Sequence, residues 1–208
     1  EGCDVRWAAY PRPHSVLTNA RNAVLARKVL KERPFDLTVS TGSSIAVSFL
    51  PLAAAMGIPC HYIESATRVE GPSTTGRILE RVPGVSLHCQ YESWATRRWH
   101  HGGSIFDGYA PTEPAPAAVR KVVVSVGTAK GFGFRALLER ALSVIPPEAE
   151  VTWQTGPTDV TGLPIEATEA LPSGRFAELL AEADVVITHA GTGSSLAALA
   201  AGRCPILV

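Results

Sequence analysis

The chain has 208 residues, 46% hydrophobic and 18% charged, with nineteen Lys and Arg balanced by nineteen Asp and Glu. The balance holds along its length: residues 1–115 carry 12 basic and 10 acidic side chains and the remainder 7 and 9. Such a composition describes one large folded domain or two small ones, excludes disorder, and leaves no basic excess for a nucleic-acid groove, so nucleic acid is not an expected partner.

The first residues, Glu1-Gly2-Cys3-Asp4-Val5, read like the approach to an internal strand, with no initiating Met and no signal peptide ahead of them. At the other end Pro205-Ile206-Leu207-Val208 reads as the first half of a buried parallel strand. The expectation is an internal piece of a longer protein.

A basic, helix-like stretch follows the start. Arg21, Arg27, Lys28, Lys31 and Arg33 lie opposite Val16, Ala20, Ala23 and Leu30. Two accounts stand for it: a solvated outer face on a core helix, or attraction to an anionic membrane surface. Asp36–Ser40 is then a short strand, Gly42 punctuates, Ser44–Met56 forms a helix ended by Gly57, and Pro59–Ile63 resumes a strand, making one βαβ unit. The apolar run Ile45–Met56 has the length of a core helix and includes Ser48 and Pro51, and no run approaches the ~18 residues that span a bilayer. After Ile63 comes a polar segment, residues 64–77, which places a carboxylate, arginines and hydroxyls where a loop lines a ligand cleft. In it Glu64 is either a general base on an acceptor hydroxyl or the structural partner of Arg68.

Three prolines between Pro111 and Pro116 preclude helix and mark the boundary between two halves. Beyond it Lys121–Val126, Val151–Gln154 and Asp184–Thr188 read as strands, and Phe134–Val144, Ser173–Glu182 and Ser194–Ala201 as helices. Alternation of this kind builds parallel sheets flanked by helices, with ligands outside the carboxyl ends of the strands. Four such loops stand out: 40–44, 127–133, 154–156 and 188–195. Their small residues let a phosphate approach backbone N–H groups at a helix start, which points to a diphosphate ligand. Gly191-Thr192-Gly193 alone also fits a purely geometric need for glycine. It lacks the dinucleotide fingerprint, because Leu196 stands where a third Gly or Ala belongs, and no phosphate-binding G-x-x-x-x-G-K-[ST] loop occurs. His189, at a strand end, is placed to hydrogen-bond a phosphate or sugar, the alternative being a satisfied structural histidine. Trp7, Trp94, Trp99 and Trp153 are expected in the core or at its rim. Cys3, Cys60, Cys89 and Cys204 are far apart without C-x-x-C spacing, so neither a zinc site nor a disulfide framework is expected.

Together the motifs resemble a known family. Ser40-Thr41-Gly42-Ser43-Ser44, Gly57-Ile58-Pro59, Glu64–Val69, Ser73-Thr74-Thr75-Gly76 and Gln90 resemble the membrane-associated, acceptor-side subunit of the two-part UDP-N-acetylglucosamine transferase of lipid-linked oligosaccharide synthesis. Ser125-Val126-Gly127-Thr128, Trp153-Gln154-Thr155-Gly156 and Asp184–Leu196 are similar to its donor-binding subunit, of the glycosyltransferase family 28 C-terminal type, and more distantly to the peptidoglycan lipid-intermediate transferase. The resemblance implies a fused GT-B glycosyltransferase of α/β class, two Rossmann-like domains with parallel sheets facing a cleft, both truncated. Residues 1–110 would be the acceptor-side domain, 111–118 a Pro-rich linker and 119–208 the UDP-sugar domain.

The implied reaction is inverting transfer of N-acetylglucosamine or another hexose from a UDP-sugar to a polyprenyl-linked glycan acceptor, in surface polysaccharide or glycan-precursor synthesis. It would take place in the cytoplasm, peripherally at the inner face of the cell membrane. By the same resemblance Gly127, Thr128, Gly191, Thr192, Gly193 and Ser194 would cradle the pyrophosphate, with Gln154 and His189 near the donor. No cofactor and no metal are expected; no D-x-D pair occurs. One position departs from the family: Ala197 stands where a Glu commonly binds the ribose hydroxyls. The alternative reading is a non-catalytic nucleotide-sugar-binding or scaffolding subunit. A sugar epimerase would need a Tyr-x-x-x-Lys dyad, which is absent.

Overall fold

The computed structural model describes residues 3–9, 16–110, 118–128 and 133–208, with side chains from residue 17 in the first helix. The chain divides into two compact units, 1–107 and 108–208. Most of the expected Pro-rich linker, 111–117, lies outside the described residues, as do residues 129–132 of the second glycine loop.

In the first unit α1 (Val16–Glu32) precedes β1 (Thr38–Ser40), α2 (Ala46–Ala55), β2 (Cys60–Ile63), α3 (Thr74–Leu79), β3 (Val85–Cys89), a 3₁₀ turn (Glu92–Trp94) and β4 (Trp99–His101). The four strands form a parallel sheet in sequence order, with Thr38 opposite Cys60, Tyr62 opposite Leu87 and Leu87 opposite Trp99. Because side chains alternate along a strand, Cys60, Tyr62, Val85, Leu87 and Cys89 pack on one face while His61, Ile63, Ser86 and His88 line the other. The packed face meets Leu50 and Ala53 of α2, Leu79 of α3 and Leu30 of α1. Gly57 ends α2 at φ +77°, a left-handed turn that glycine adopts without steric penalty. The opposite face holds a depression of about 370 Å³ lined by Leu37, Val39, His61, Ile63, His88 and Gly102.

Helix α1 forms as expected with its basic side chains exposed, and of the expected packed residues Leu30 is buried and Ala23 half-buried, while Ala20 is exposed; the packed face is centred on Asn22, Ala26 and Leu30, at steps of four. Trp99 and Trp153 are core residues and Trp94 packs at its margin, whereas Trp7 is 90% exposed and belongs to neither core nor rim.

The second unit contains β5 (Lys121–Ser125), α4 (Arg135–Val144), β6 (Glu150–Gln154), β7 (Ala167–Thr168), α5 (Ser173–Glu182), β8 (Val185–Thr188), α6 (Thr192–Ala200) and β9 (Ile206–Leu207). All five strands are parallel, in the order β7-β6-β5-β8-β9. The run Val122-Val123-Val124 is apolar without alternation because both faces of β5 are covered. Val122 and Val124 pack with Leu137, Leu138 and Ala141 of α4, while Val123 packs with Leu180 of α5 and Ala198 of α6.

Candidate functional site

The register of the second sheet sets Ser125, Gln154 and Thr188 level at the carboxyl ends of three adjacent strands. Ser125 is fully buried and its hydroxyl accepts a 2.9 Å hydrogen bond from the Gln154 amide nitrogen. The Gln154 oxygen accepts in turn from the Leu171 backbone N–H at 3.0 Å. Gln154, expected beside the donor, thus has both ends of its amide engaged inside the fold and braces the loops around it.

Above this brace the loops crowd together. Gly127 and Gly156 take left-handed φ of +77° and +53°, and a Cβ on Gly156 would overlap the Gly127 carbonyl oxygen. Ala190 also sits at φ +57°, an uncommon conformation for a residue with a Cβ, and it turns the chain from β8 into α6. The imidazole of His189 lies between two glycines: a Cβ on Gly127 would stand 2.6 Å from its Cε1, and one on Gly191 would overlap its Nε2. Its Nδ1 is 3.4 Å from the Ser125 carbonyl oxygen, and the Phe134 ring lies 5.3 Å away, centroid to centroid. A carbonyl oxygen only accepts, so this contact favours the proton on Nδ1 and leaves Nε2 bare until the ring takes a second proton.

Helix α6 starts at this mouth. Its N-cap, Gly191, provides no side-chain cap, so the N–H groups of Thr192, Gly193 and Ser194 begin the helix without intrahelical acceptors, and the helix dipole adds a partial positive charge. Gly193 is exposed with no heavy atom within 4 Å of where its Cβ would be, so the approach to these amides is open. Thr128 is exposed on the neighbouring loop. The structure therefore brings Gly127, His189 and the Gly191–Ser194 turn together at one strand-end mouth. Ala197, further along α6, is half-buried against the third core cluster.

The first unit treats Glu64 differently from either expectation. Its carboxylate is 2% exposed and accepts four hydrogen bonds: from Tyr62 Oη and Ser65 N, both 3.1 Å, to Oε1, and from Ser73 N and Ser73 Oγ, both 2.8 Å, to Oε2. Arg68 is exposed and is not among these partners. Burial pushes the Tyr62 phenol up to about 12, which keeps it a donor. A carboxylate has about four acceptor positions, and all are taken here. Ser73 also caps α3, accepting from Gly76 N at 3.1 Å, and a Cβ on Gly76 would stand 2.6 Å from Glu64 Oε2 and 2.9 Å from the Trp99 ring. Gln90 Nε2 donates to Glu64 O at 2.9 Å, Tyr91 Oη to Ala66 O at 2.7 Å and Trp94 Nε1 to Arg68 O at 3.0 Å. The polar segment is a pinned loop that leaves Thr67, Arg68 and Thr74 exposed.

For several contributors the motifs give a place but no role. Ser125, the small polar residue at the end of a valine run, holds the Gln154 amide. Tyr62, Ser73 and Gly76 act together around Glu64, a role that depends on strand β2 and helix α3 meeting in space. Among the described residues no group of three or more His, Cys, Asp or Glu side chains is disposed to hold a metal ion.

Residues 121–208 match the model of the glycosyltransferase family 28 C-terminal domain. Three solved glycosyltransferases share the fold. SnogD from Streptomyces nogalater is 21% identical with a TM-score of 0.56, the match covering 92% of this chain and 60% of that one. For MurG from Acinetobacter baumannii the values are 17% and 0.52, covering 86% and 54%. For CalG4, the calicheamicin glycosyltransferase, they are 18% and 0.55, covering 93% and 59%. The chain thus matches between about half and three fifths of the length of these three proteins. No curated protein sequence matches it. The α/β fold with two parallel sheets is that of GT-B glycosyltransferases, as the motifs imply.

Proposed function

We propose that the chain is part of an inverting glycosyltransferase that moves a hexose, N-acetylglucosamine or a related sugar, from a UDP-sugar to a polyprenyl-linked glycan acceptor. The observation that carries this reading is the convergence of the uncapped start of α6, the Gly127 turn and His189 at one strand-end mouth. Orphan backbone donors and a helix dipole suit a diphosphate and stabilise the charge that grows on it as it leaves. In the reaction an acceptor hydroxyl oxygen bonds to the anomeric carbon from one face as the bond from that carbon to the diphosphate oxygen breaks on the other. The configuration inverts, UDP departs with the electron pair, and the hydroxyl proton passes to a base.

In this assignment Gly127, Thr128, Gly191, Thr192, Gly193 and Ser194 hold the diphosphate. His189, once protonated on both nitrogens, donates from Nε2 to a diphosphate oxygen. Gln154 and Glu64 are positioning residues, the first for the donor loops and the second for the loop of residues 64–77. No metal or cofactor is assigned, the backbone amides and His189 being the charge-neutralising groups. The acceptor side falls to the first unit, and the reaction to the cytoplasmic face of the cell membrane, in surface polysaccharide or glycan-precursor synthesis.

Calorimetric titration with UDP, ADP and NAD, without added metal and again with EDTA, tests the donor assignment. Preference for UDP, unchanged by EDTA, is the expected result; preference for NAD, or no nucleotide binding, overturns it. Ala197, small and half-buried where the family carries a ribose-binding Glu, favours a second reading, a nucleotide-sugar-binding subunit without turnover. UDP binding without sugar transfer to a polyprenyl-diphosphate glycan would select it.

A further inference from the structure

The strand-end mouth of the second unit has an aromatic wall that the diphosphate assignment does not use. Phe134, the residue that begins α4, keeps 38% of its surface exposed although its place is fixed from two sides. Its backbone N–H donates to Thr158 Oγ1 at 3.2 Å, and the next residue, Arg135, donates from Nη1 to the Asp159 carbonyl oxygen at 3.0 Å. Both acceptors belong to the loop after β6, so the start of α4 is tied to a neighbouring strand end. The Phe134 ring itself rests on His189, with centroids 5.3 Å apart and planes tilted by 47°.

Helix α4 packs on the sheet face of Val122 and Val124, and α6 on the face of Val123. Phe134 and the Gly191–Ser194 turn therefore start helices on opposite sides of the sheet, and His189 touches both. A diphosphate held by the α6 turn and His189 has Phe134 beyond it, on the α4 side. The ring does not suit phosphate: it offers no N–H or O–H, and its face carries negative charge density. It suits the next group along the ligand, one with apolar surface. A UDP-sugar carries two such groups, and the reaction separates them. The hexose has to sit at an open rim, because its anomeric carbon is attacked from the side away from the diphosphate, whereas the uridine makes and breaks no bond.

We infer that Phe134 seats the hexose of the donor, its ring packing against the C–H groups of one pyranose face. Aromatic side chains with a few fixed polar groups beside them are the usual lining of a small-molecule site, and here the polar groups are His189 and the α6 amides. Phe134 is then a specificity-determining contact for the sugar, separate from the groups that hold the diphosphate. The inference rests on the proposed UDP-sugar donor and adds the side chain that reads the sugar.

The test is calorimetric titration of the full chain and of its F134L, F134M and F134Y variants with UMP, UDP, UDP-N-acetylglucosamine and UDP-glucose, beside thermal unfolding. Dividing the dissociation constant of each sugar nucleotide by that of UDP isolates the hexose. F134L and F134M keep an apolar side chain against His189 and lose the ring, and either serves if the other fails to fold. In them the ratio should rise roughly tenfold for at least one sugar nucleotide, while UMP and UDP affinities hold within about twofold. F134Y keeps the ring and should match the wild-type ratio. An unchanged ratio in the variants without the ring overturns the inference. An equal loss for UDP and the sugar nucleotides overturns it too, leaving the ring to act only through His189, and a loss shared with UMP moves the ring to the uracil base. UDP binding retained beside an unchanged ratio leaves the donor assignment standing, whereas a wild-type chain that binds no UDP overturns both.

Discussion

His189 occupies the space into which a side chain on Gly127 would grow, a Cβ there standing 2.6 Å from its Cε1. The imidazole and the β5 loop are thus one packed object, and the loop cannot gain bulk without moving the ring. Gly127→Ala adds this collision to a backbone at φ +77°, so a loss of about 1–3 kcal/mol is expected. UDP affinity should fall with it. Thermal unfolding and calorimetry of the variant check both; wild-type values would mean that the loop and the ring move independently.

Gly193→Asp separates the fold from the ligand at the same mouth. Nothing stands within 4 Å of the new Cβ, and an acidic residue in the first turn suits the helix dipole, so stability should hold or rise by about 0.5–1 kcal/mol. At the proposed site the carboxylate would meet the diphosphate, and UDP affinity should drop at least about tenfold. Unchanged affinity would remove the α6 turn from the site.

Replacing His189 by Gln keeps a polar group but removes the imidazole from between Gly127 and Gly191. A hydrogen bond to a charged group contributes about 1.5–3 kcal/mol, so UDP binding should weaken roughly ten- to hundredfold. Calorimetry beside thermal unfolding of the variant reads the difference, and unchanged UDP affinity would assign the ring a purely structural part.

Glu64→Gln places an amide NH₂ against donors from Tyr62, Ser65 and Ser73. At least one N–H then lacks an acceptor inside the fold, and the first unit should lose about 1–3 kcal/mol. UDP binding should be unchanged. Chemical denaturation together with calorimetry measures the pair. A variant of native stability with lowered turnover would instead return Glu64 to the reacting atoms.

Burial, reinforced by His61 and His100, holds the His88 imidazole below its ordinary value of 6.5. His88 Nε2 lies 2.9 Å from His61 Nδ1, a contact in which one ring must keep an unprotonated nitrogen. As pH falls through 6.5 the unfolded chain takes up a proton that the folded chain still refuses. The first unit should therefore be most stable above that pH, lose stability as the solution is acidified towards the lower folded-state value, and show no further loss from this group below it. Denaturation midpoints across this range, with His88→Gln flattening the slope, provide the check.

The alternation of strands and helices was legible along the chain because each element is a local matter. Valine runs, helix-period patterns and glycines at turns act over a few residues, and Ser173–Glu182 forms with the bounds that its pattern predicts. Strands β3, β4 and β7 were not read along the chain. Their neighbours in the sheet define β4 and β7, whereas β1 and β9, no longer than these, lie within longer β-rich runs. The packed face of α1 was misread in part, at Ala20 and Asn22, for a related reason. Alanine at position 20 or 26 suits either side of a helix, and the polar Asn22 goes inward because it finds both backbone partners on Ala9.

The sequence alone determined that two parallel α/β units exist and that glycine-rich turns follow their strands, since these depend on spacing and on residues that tolerate tight backbone. Only the tertiary structure decided what each polar group does. Glu64 is surrounded by donors up to nine residues away, and Gln154 spends its amide on Ser125 and Leu171, while His189 remains at the mouth with Nε2 between two glycines. Hydrogen-bond capacity is finite, so a side chain's availability to a ligand depends on which partners the fold brings within about 3 Å, and that distance is not written in the chain.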